Sequence, residues 1–379
     1  FKRDNGADTA FTSVSSFFDT DVANRNIKIS AQSDGEFIFS FLNTAYSKES
    51  GSGYALDFDG IGDYIDLGSS IDLASKSFTI ELWAKRSSSN TVGHFFSLGT
   101  GASNNGLHAR INADGSILFG FFNNNLTSAV QSIDTGWHHY AFTYNASNNF
   151  RAIYRDGVQI ASETAGTDFL GSGSFLIGEQ VSGFSNPWHG EIDEFRIWEA
   201  ELSQTEIRDG LAKKVTQSHP QFSNLFAYYK FDENAGTTVQ DVVGGLNGTF
   251  VSSPNWVLSA AELGDKASYT FGGSSVKDTL SDGTRISVEN FTGSPDALFL
   301  YVVSDTAQNS TFPTIGNFSA IDSLQYIGVN MMNGGTYDVV YDFSSNPAFT
   351  SSSFVQSVVA FKRSNGADGT WQQVTGVLS

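Results

Sequence analysis

The chain has 379 residues and no cysteine, so it is long enough for about two or three domains, and disulfides, thiolate metal sites and cysteine nucleophiles are excluded. Its formal net charge of −19 argues against a nucleic-acid partner, because a phosphate backbone would be repelled. The sequence contains no apolar run long enough to span a bilayer, so no membrane-spanning segment is predicted.

The composition favours strands and turns. There are 33 Phe, 13 Tyr and 38 Gly residues but only 6 Pro, and charged residues make up 16% of the chain. Aromatic side chains fit the half-buried surface of a sheet and glycine favours turns, so we predict an all-β protein. The first residue is Phe and no signal-peptide pattern is present, so we expect a mature or excised piece of a longer protein.

The two ends of the chain carry the same motif. FKRDNGAD at 1–8 recurs as FKRSNGAD at 361–368, with seven of eight positions identical at an offset of 360 residues. Self-similarity at a fixed period indicates a repeat array. We therefore predict that residues 1–48 are the C-terminal strands of one β-sandwich repeat. Residues 260–379 would be the N-terminal part of the next repeat, in which 361–379 repeats 1–19.

Both end segments contain strand patterns. Residues 26–41 indicate two short strands around an Asp-Gly turn, and further strands are predicted near 286–291, 297–304, 337–343 and 354–363. Either segment alone would leave a sheet edge open. The predicted partners are therefore neighbouring copies of the same repeat, joined in one polypeptide or by strand complementation between subunits.

The middle of the chain, 51–258, predicts a two-sheet sandwich. SFTIELWAKR at 77–86 alternates, with Phe, Ile, Leu and Ala on one face and Thr, Glu, Trp and Lys on the other. Asp114-Gly115 and Asp156-Gly157 each separate two alternating runs, which is typical of hairpin turns. Frequent turns between short strands favour two packed antiparallel sheets.

One helix is predicted near 203–214. Ser203 lies three residues before Glu206, which is the spacing of a capping box. Lys213 and Lys214 at the other end suit the partial negative charge of a helix C-terminus.

The stretches YALDFDGIGDYIDLG, SFTIELWAKR, GWHHYAFTYN and GEIDEFRIWEAELSQTEI occur in this order. They resemble the bacterial laminin-G-like domains of the concanavalin A-like lectin/glucanase superfamily, over about 51–258. The resemblance implies a jelly roll, a frequent structural calcium, and binding rather than catalysis. The remaining sandwich, split between the chain ends, resembles a companion module of large Bacteroidetes surface proteins, which implies an extracellular or cell-surface location.

The stretch GEIDEFRIW at 190–198 raises the question of glycosidase activity. Retaining hydrolysis needs two carboxyl groups about 5–5.5 Å apart in one cleft. The catalytic strand of glucanases with this fold carries three acids, as E-x-D-x-E or E-x-D-x-x-E. Glu191 and Asp193 match the first two and share a strand face, but the third position holds Phe195 or Arg196. Strand alternation places Glu194 on the opposite face. The constellation lacks one carboxylate, so we predict that the protein is not an enzyme.

The resemblance suggests instead that Asp193 turns towards the DFDGIGD loop, where Asp59 and Asp63 lie. Carboxylates and backbone carbonyls around glycine-rich turns suit calcium, which takes 6–8 oxygen ligands. These three aspartates are the predicted calcium ligands. The alternative is that Asp59 and Asp63 are turn residues and that Asp193 pairs with Arg196 or a backbone amide.

Glycan recognition requires exposed aromatic rings with amides or acids nearby. Trp188 and His189 lie in the loop before the Asp193 strand, and Asn123 and Asn124 belong to a run of three asparagines. These four residues are the predicted ligand-binding rim; the alternative is ordinary loops that pack their own side chains. His138 and His139 are adjacent in a strand and point to opposite faces, so we interpret both as structural.

Together these features predict a non-catalytic repeat unit of a secreted surface adhesin or extracellular fibre. Its jelly roll would contact glycans or surface proteins. The alternative hypothesis is a carbohydrate-binding module of a secreted polysaccharide-degrading enzyme.

Overall fold

The computed structural model describes residues 18–21, 26–32, 35–40, 51–88, 91–181, 186–304, 325–347, 359–363 and 372–374. The larger of two compact units comprises 54–211 and 215–261, and the smaller one comprises the described residues before 54, 212–214 and those after 261. Antiparallel sheets dominate both units, which confirms the predicted all-β fold. The first three strands, β1 (Phe18–Asp21), β2 (Asn26–Gln32) and β3 (Gly35–Ser40), belong to the smaller unit.

The larger unit is a two-sheet sandwich. Its strands are β4 (Tyr54–Asp59), β5 (Tyr64–Asp66), β6 (Phe78–Arg86), β7 (Gly93–Gly99), β8 (Gly106–Ile111), β9 (Ile117–Gly120), β10 (Asn125–Thr127), β11 (Trp137–Asn145), β12 (Phe150–Arg155), β13 (Val158–Thr164), β14 (Phe175–Ile177), β15 (His189–Trp198), β16 (Leu225–Tyr229), β17 (Thr238–Val239), β18 (Gly248–Val251) and β19 (Asn255–Leu258). The front sheet has the order β10-β9-β8-β7-β14-β5-β18-β17. The back sheet has the order β13-β12-β11-β6-β15-β4-β19, and β16 also pairs with β15.

The main hydrophobic core lies between these two sheets. Strand β6 contributes Phe78, Ile80, Leu82 and Ala84 to it, as the alternation predicted. The core is rich in aromatic contacts, such as the 5.4 Å edge-to-face pair of Phe96 and Phe142. The high phenylalanine content of the sequence is therefore used largely to fill the space between the sheets.

The outer face of the back sheet is covered as well. Helix α1 (Gln204–Leu211) packs there through Ile207, against Trp198 and Tyr228 of the sheet. The predicted capping box is confirmed, because Ser203 N donates to Glu206 Oε2 at 2.8 Å and Glu206 N donates to Ser203 Oγ at 3.3 Å. In the described part of the chain, no helix has the length and hydropathy that a membrane crossing would require.

The two Asp-Gly pairs lie in hairpin turns, as predicted. Between β12 and β13, Asp156 has a φ of 53° and Gly157 has a φ of 75°, which is the left-handed conformation of a tight two-residue hairpin. Between β8 and β9, Gly115 has a φ of 86°. Asp and Gly tolerate these positive φ values at low steric cost.

The smaller unit also contains two sheets. Its other strands are β20 (Lys266–Phe271), β21 (Ser275–Thr279), β22 (Arg285–Glu289), β23 (Ala297–Val303), β24 (Tyr326–Met331), β25 (Tyr337–Asp342), β26 (Val359–Arg363) and β27 (Gln372–Val374). One sheet has the order β1-β2-β25-β22-β21 and the other has the order β20-β23-β24-β3-β26-β27. Its buried core includes Val288, Leu298, Leu300 and Val339.

Strands from both ends of the chain share the sheets of the smaller unit. Strand β2 pairs with β25, and β3 lies between β24 and β26. The two strands predicted within 26–41 are present, but they belong to different sheets. Residues 1–14, which carry the first copy of the repeated motif, lie outside the described residues. The assignment of the two end segments to successive repeats therefore stays a prediction.

Candidate functional site

Strand β15 is irregular at the acidic residues of the glycosidase-like motif. In its pairing with β6, Asp193 is opposite Trp83. The next paired residue, Arg196, is opposite Glu81, so two residues of β15 occupy the place of one. Glu194 has a φ of 51°, in the left-handed region, and this β-bulge shifts the alternation of side chains.

The bulge makes one sequence-based prediction wrong. Phe195 enters the core between the sheets, whereas Glu194 contacts Arg196 and Tyr228 on the outer face of the back sheet. Glu194 therefore lies on the same face as Asp193, not on the opposite one. Regular alternation does not hold across the bulge, and nothing in the motif itself indicates an extra residue.

These acids belong to a buried charged network. Arg196 lies between two carboxylates: its Nη2 donates to Glu194 Oε2 at 2.6 Å and its Nη1 donates to Glu81 Oε1 at 3.2 Å. Trp198 Nε1 also donates to Glu81 at 3.1 Å, and the Tyr228 hydroxyl donates to Glu194. All five side chains belong to residues that are at most 1% exposed. Their charges compensate each other within the protein.

The network also holds helix α1. Arg196 Nη1 donates to Gly210 O at 3.3 Å, and Trp83 Nε1 donates to Leu211 O at 2.9 Å. The last carbonyls of a helix lack intrahelical partners and carry partial negative charge, so a guanidinium is favourable there. The helix thereby closes the outer face of the back sheet over the acidic residues.

Asp193 and Glu191 are engaged in separate contacts. Asp193 is fully buried and accepts hydrogen bonds from Ser259 Oγ at 2.5 Å and Glu194 N at 2.7 Å. Burial, followed by repulsion from Glu194, raises its pKa well above the ordinary value. Glu191 forms an ion pair of 2.6 Å with Lys85. Strand β15 thus presents no accessible pair of carboxyl groups of the kind that retaining hydrolysis uses.

The predicted calcium ligands do not converge. In the pairing of β15 with β4, His189 is opposite Asp59, and Asp193 lies four residues further along the strand, a separation of about 13 Å. Asp59 Oδ1 accepts a hydrogen bond from Ile61 N at 2.6 Å within its own turn. Asp63 accepts hydrogen bonds from Asp59 N and from a loop amide near the end of β18.

The turn interpretation of these aspartates therefore matches their contacts. Asp59 and Asp63 are neighbours, whereas Asp193 binds a backbone amide elsewhere, as the alternative hypothesis held. Across the residues that the structure describes, no three His, Asp or Glu side chains are arranged to hold a metal ion. A calcium site built from Asp59, Asp63 and Asp193 does not fit this geometry.

The predicted ligand rim is only partly exposed. Trp188 is 1% exposed, and its ring lies 4.7 Å from that of Phe95 in the core. The prediction that Trp188 forms a surface rim is therefore wrong, because this indole fills space between the sheets. His189, the next residue, is exposed at the start of β15.

Asn123 and Asn124 differ in a similar way. The side chain of Asn124 donates to Asn104 Oδ1 at 2.9 Å and to Thr167 O at 3.1 Å, and its own oxygen accepts a bond of 3.0 Å from Arg151. Asn124 therefore braces its loop. Asn123 is exposed and makes one side-chain bond of 3.0 Å to Ser103. A ligand role for His189 and Asn123 stays a prediction.

The adjacent histidines of β11 point to opposite faces, as predicted. His139 is opposite Trp83 and packs edge-on against it at 5.8 Å on the covered outer face. His138 lies 2.7 Å from both Asp134 and Asp156. Burial alone would lower the pKa of His138, but the charges and hydrogen bonds of these carboxylates raise it to about 9. Both histidines are held by contacts within the protein.

A polar group on the outer face of the front sheet was not singled out by the sequence analysis. We call His94, His108, Arg110 and Gln180 the front-face group. His94 of β7 is directly opposite Arg110 of β8, and His108 shares the face of Arg110 two residues before it. Side chains in these positions are about 5–8 Å apart at Cβ, so they form one patch.

Gln180 joins this patch through the chain that follows β14. Ser97, directly opposite His108, donates to Glu179 O at 2.7 Å and accepts a bond of 3.0 Å from Val181 N. These two bonds fix Gln180, the residue between them, over the face that His108 occupies.

Both histidines of the patch present an acceptor. His94 Nδ1 is 3.1 Å from Asn186 O, and His108 Nδ1 is 2.9 Å from Gly106 O. A carbonyl only accepts, so Nδ1 carries the proton and Nε2 keeps its lone pair. Burial lowers the pKa of His94 to about 3 and also lowers that of His108, so both rings are neutral at physiological pH.

Three buried polar atoms of this patch have no hydrogen-bond partner among the described residues: His94 Nε2, Arg110 Nε and Gln180 Oε1. Arg110 is half-buried, burial lowers its pKa, and no acidic side chain opposes that shift. By contrast, Arg151, Arg155 and Arg196 each form an ion pair. The alternation of GLHARI places His108 and Arg110 on the outer face, but their lack of partners is visible only in three dimensions.

Residues 59–208 match the family described as the concanavalin A-like lectin/glucanases superfamily, so the predicted domain of this type is confirmed. No curated protein matches the chain. Among solved structures, a candidate carbohydrate-binding protein from Bacteroides ovatus is 22% identical with a TM-score of 0.46, over 56% of this chain and 61% of that one. The chain thus spans about three fifths of that relative's length.

Two further solved structures are similar to parts of the chain. The CBM40 domain of an IT-sialidase from Ruminococcus gnavus is 17% identical with a TM-score of 0.33, over 42% of this chain and 97% of that one. Domain 4 of AbnA, a GH43 extracellular arabinanase from Geobacillus stearothermophilus, is in complex with arabinotriose. It is 19% identical with a TM-score of 0.35, over 48% of this chain and 98% of that one.

Proposed function

We propose that this chain is a non-catalytic binding segment of an extracellular or cell-surface protein, repeated along an adhesin or fibre. In this proposal its concanavalin A-like unit contacts glycans or surface proteins. The supporting observation is that Asp193 and Glu194, the acids of the glycosidase-like motif, are at most 1% exposed and are hydrogen-bonded to other groups of the protein. A substrate has no route to them, and their hydrogen bonds stabilise the sandwich instead.

The repeat part of the proposal depends on the ends of the chain. The motif at 1–8 recurs at 361–368, and strands β2 and β3 complete sheets formed by strands from the far end. A unit whose sheets need strands from both segments is suited to joining successive copies, because the same pairing can be made between neighbours.

A hydrolysis assay tests the non-catalytic assignment. We expect no release of reducing sugar from β-glucans by the wild-type protein, since Asp193 and Glu194 are buried. Glu191→Gln is the matched control, because Glu191 is the most accessible acid of that strand. Turnover by the wild-type protein that the variant lacks would contradict the proposal.

The second candidate is a carbohydrate-binding module of a polysaccharide-degrading enzyme. The front-face group favours it, because unpaired donors and acceptors on one sheet face suit hydroxylated ligands. Electron microscopy of the native assembly separates the two: filaments with a regular axial repeat support the adhesin. A catalytic domain on the same polypeptide, without filaments, supports the module.

Calcium binding stays a proposal confined to the loop of Asp59 and Asp63. Burial, together with repulsion from these two carboxylates, raises the pKa of nearby Asp57, and a cation would relieve that repulsion. A ligand that binds only the native state stabilises it. The melting temperature should therefore fall on addition of EDTA and recover with excess calcium; an unchanged midpoint would count against the metal.

A further inference from the structure

We propose that the front-face group binds a single acidic sugar, with its carboxylate on Arg110 and its hydroxyls on His108 and Gln180. This inference rests on the proposed binding function and assigns it a site and a ligand class. The patch lies on β7, β8 and the chain after β14, so rigid strands hold most of it.

Arg110 determines the charge of the ligand. Its guanidinium is half-buried and has no ion pair with any described residue, in a chain with a net charge of −19. A guanidinium offers five donors in a planar fork that matches a carboxylate. An uncompensated, partly desolvated cation is costly for the free protein, and an anionic ligand removes that cost.

The other members of the front-face group determine which further functional groups the ligand carries besides its carboxylate. His108 and His94 are neutral and present Nε2 lone pairs, and the unpaired atom of Gln180 is its carbonyl oxygen. Acceptors of this kind would repel a second carboxylate but accept bonds from hydroxyls. A molecule with one carboxylate and several hydroxyls, such as a uronic or sialic acid, satisfies both requirements.

Two other ligand classes fit less well. A metal ion could use the two histidines, whose rings are 6.1 Å apart, but the guanidinium opposite His94 would repel it. A long polyanion would be repelled by the overall negative charge of the chain. Phe122, whose ring lies 6.3 Å from that of His108, adds an apolar wall of the kind that sugar rings contact.

A glycan array that displays uronic and sialic acids beside neutral glycans tests the proposal with the full chain. We expect the bound set to be dominated by carboxylated glycans with a terminal acidic residue. Calorimetry with the strongest of them should show at least a tenfold weaker affinity for Arg110→Gln. Arg110→Lys should bind with intermediate affinity, because it keeps the charge and loses the fork.

Arg285→Gln is the matched control, since Arg285 is 61% exposed and its ion pair lies in the smaller unit. We expect its affinity to stay within twofold of wild type. The methyl ester of the glycan should bind the wild-type protein as weakly as the acid binds Arg110→Gln. Binding of acidic and neutral glycans alike, or by Arg110→Gln as by wild type, would overturn this site while leaving glycan binding intact. No binding to any glycan would overturn both the site and the glycan part of the proposed function.

Discussion

The outer faces of the two sheets in the larger unit differ in whether a buried or half-buried arginine has an acidic partner. On the back sheet, Arg196 has two carboxylate partners and a helix carbonyl, and helix α1 covers the site. On the front sheet, Arg110 has no partner among the described residues and stays half-buried. The charge of Arg196 is therefore paired within the chain. The charge of Arg110 is not, and an anionic ligand can pair it.

This difference separates a structural polar cluster from a binding surface. Both faces combine arginine, histidine and aromatic residues, so residue types alone would assign them the same role. What distinguishes them is the pairing of the arginine charge: Arg196 has two acidic partners, whereas Arg110 has no ion pair among the described residues. The acids of β15 belong to the structural class.

The largest expected effect is on stability at the back face. Arg196→Ala leaves Glu81 and Glu194 buried without their cation, so we expect the free energy of unfolding to fall by about 3–5 kcal/mol. Arg110→Ala, the matched change at the front face, should cost less than about 1 kcal/mol, since it breaks no ion pair with a described residue. Urea unfolding of both variants measures this. Equal losses would remove the distinction between the faces.

A second comparison concerns two adjacent residues where the chain enters β15. Trp188 is 1% exposed and packs on Phe95, so Trp188→Ala should cost about 3–4 kcal/mol in the free energy of unfolding. His189→Ala should be within about 0.5 kcal/mol of wild type, because His189 is exposed. Thermal melts followed by circular dichroism give both values. A stable Trp188→Ala variant with reduced glycan binding would restore the rim prediction for this residue.

His138 and His94 should change the stability of the protein with pH in opposite directions. His138 pairs with two carboxylates and its pKa is raised to about 9, so its stabilisation is fully present below the unfolded value of about 6.5 and is lost between there and pH 9. We expect this loss to be about 1–3 kcal/mol. His94 has no acidic partner among the described residues and burial lowers its pKa to about 3, so it instead costs stability as the pH falls below about 6.5.

Unfolding curves at pH 5, 7 and 9.5 for wild type, His138→Gln and His94→Gln test these signs. The first variant should remove the alkaline loss and the second should reduce the acid loss. A wild-type profile that neither substitution alters would contradict both assignments.

Asp193→Asn should have the smallest effect. The amide oxygen can still accept from the Glu194 amide, and the amide nitrogen can donate to Ser259 Oγ, which reverses the direction of that bond. The substitution also removes a carboxylate whose ionisation is opposed by burial. Because the folded pKa is raised, wild-type stability falls as the pH rises above about 3.9, the unfolded value. The variant should match wild type within about 1 kcal/mol at pH 5 and be relatively more stable at pH 8, as measured by melting temperature. A large destabilisation at pH 8 would mean that the charged carboxylate is required.

The sequence predicted the periodic features well and the local exceptions poorly. Alternation at 77–86 assigned the core face of β6 correctly, and the Asp-Gly pairs marked their turns. The bulge at Glu194 was not predicted, and one inserted residue moves every later side chain of the strand to the other face. The burial of Trp188 was not predicted, because a loop position in the sequence does not show whether a large ring points into the core. The front-face group escaped because the absence of a partner is a property of the fold.

The most direct test of the difference between the faces is NMR of the six histidine rings during titration with an acidic oligosaccharide that the protein binds. Ring protons report contact without any substitution. We expect the signals of His94 and His108 to shift in a saturable way, while that of His139 beneath helix α1 stays unchanged. Shifts confined to other histidines, or none at all, would show that the unsatisfied front face is not where the ligand binds.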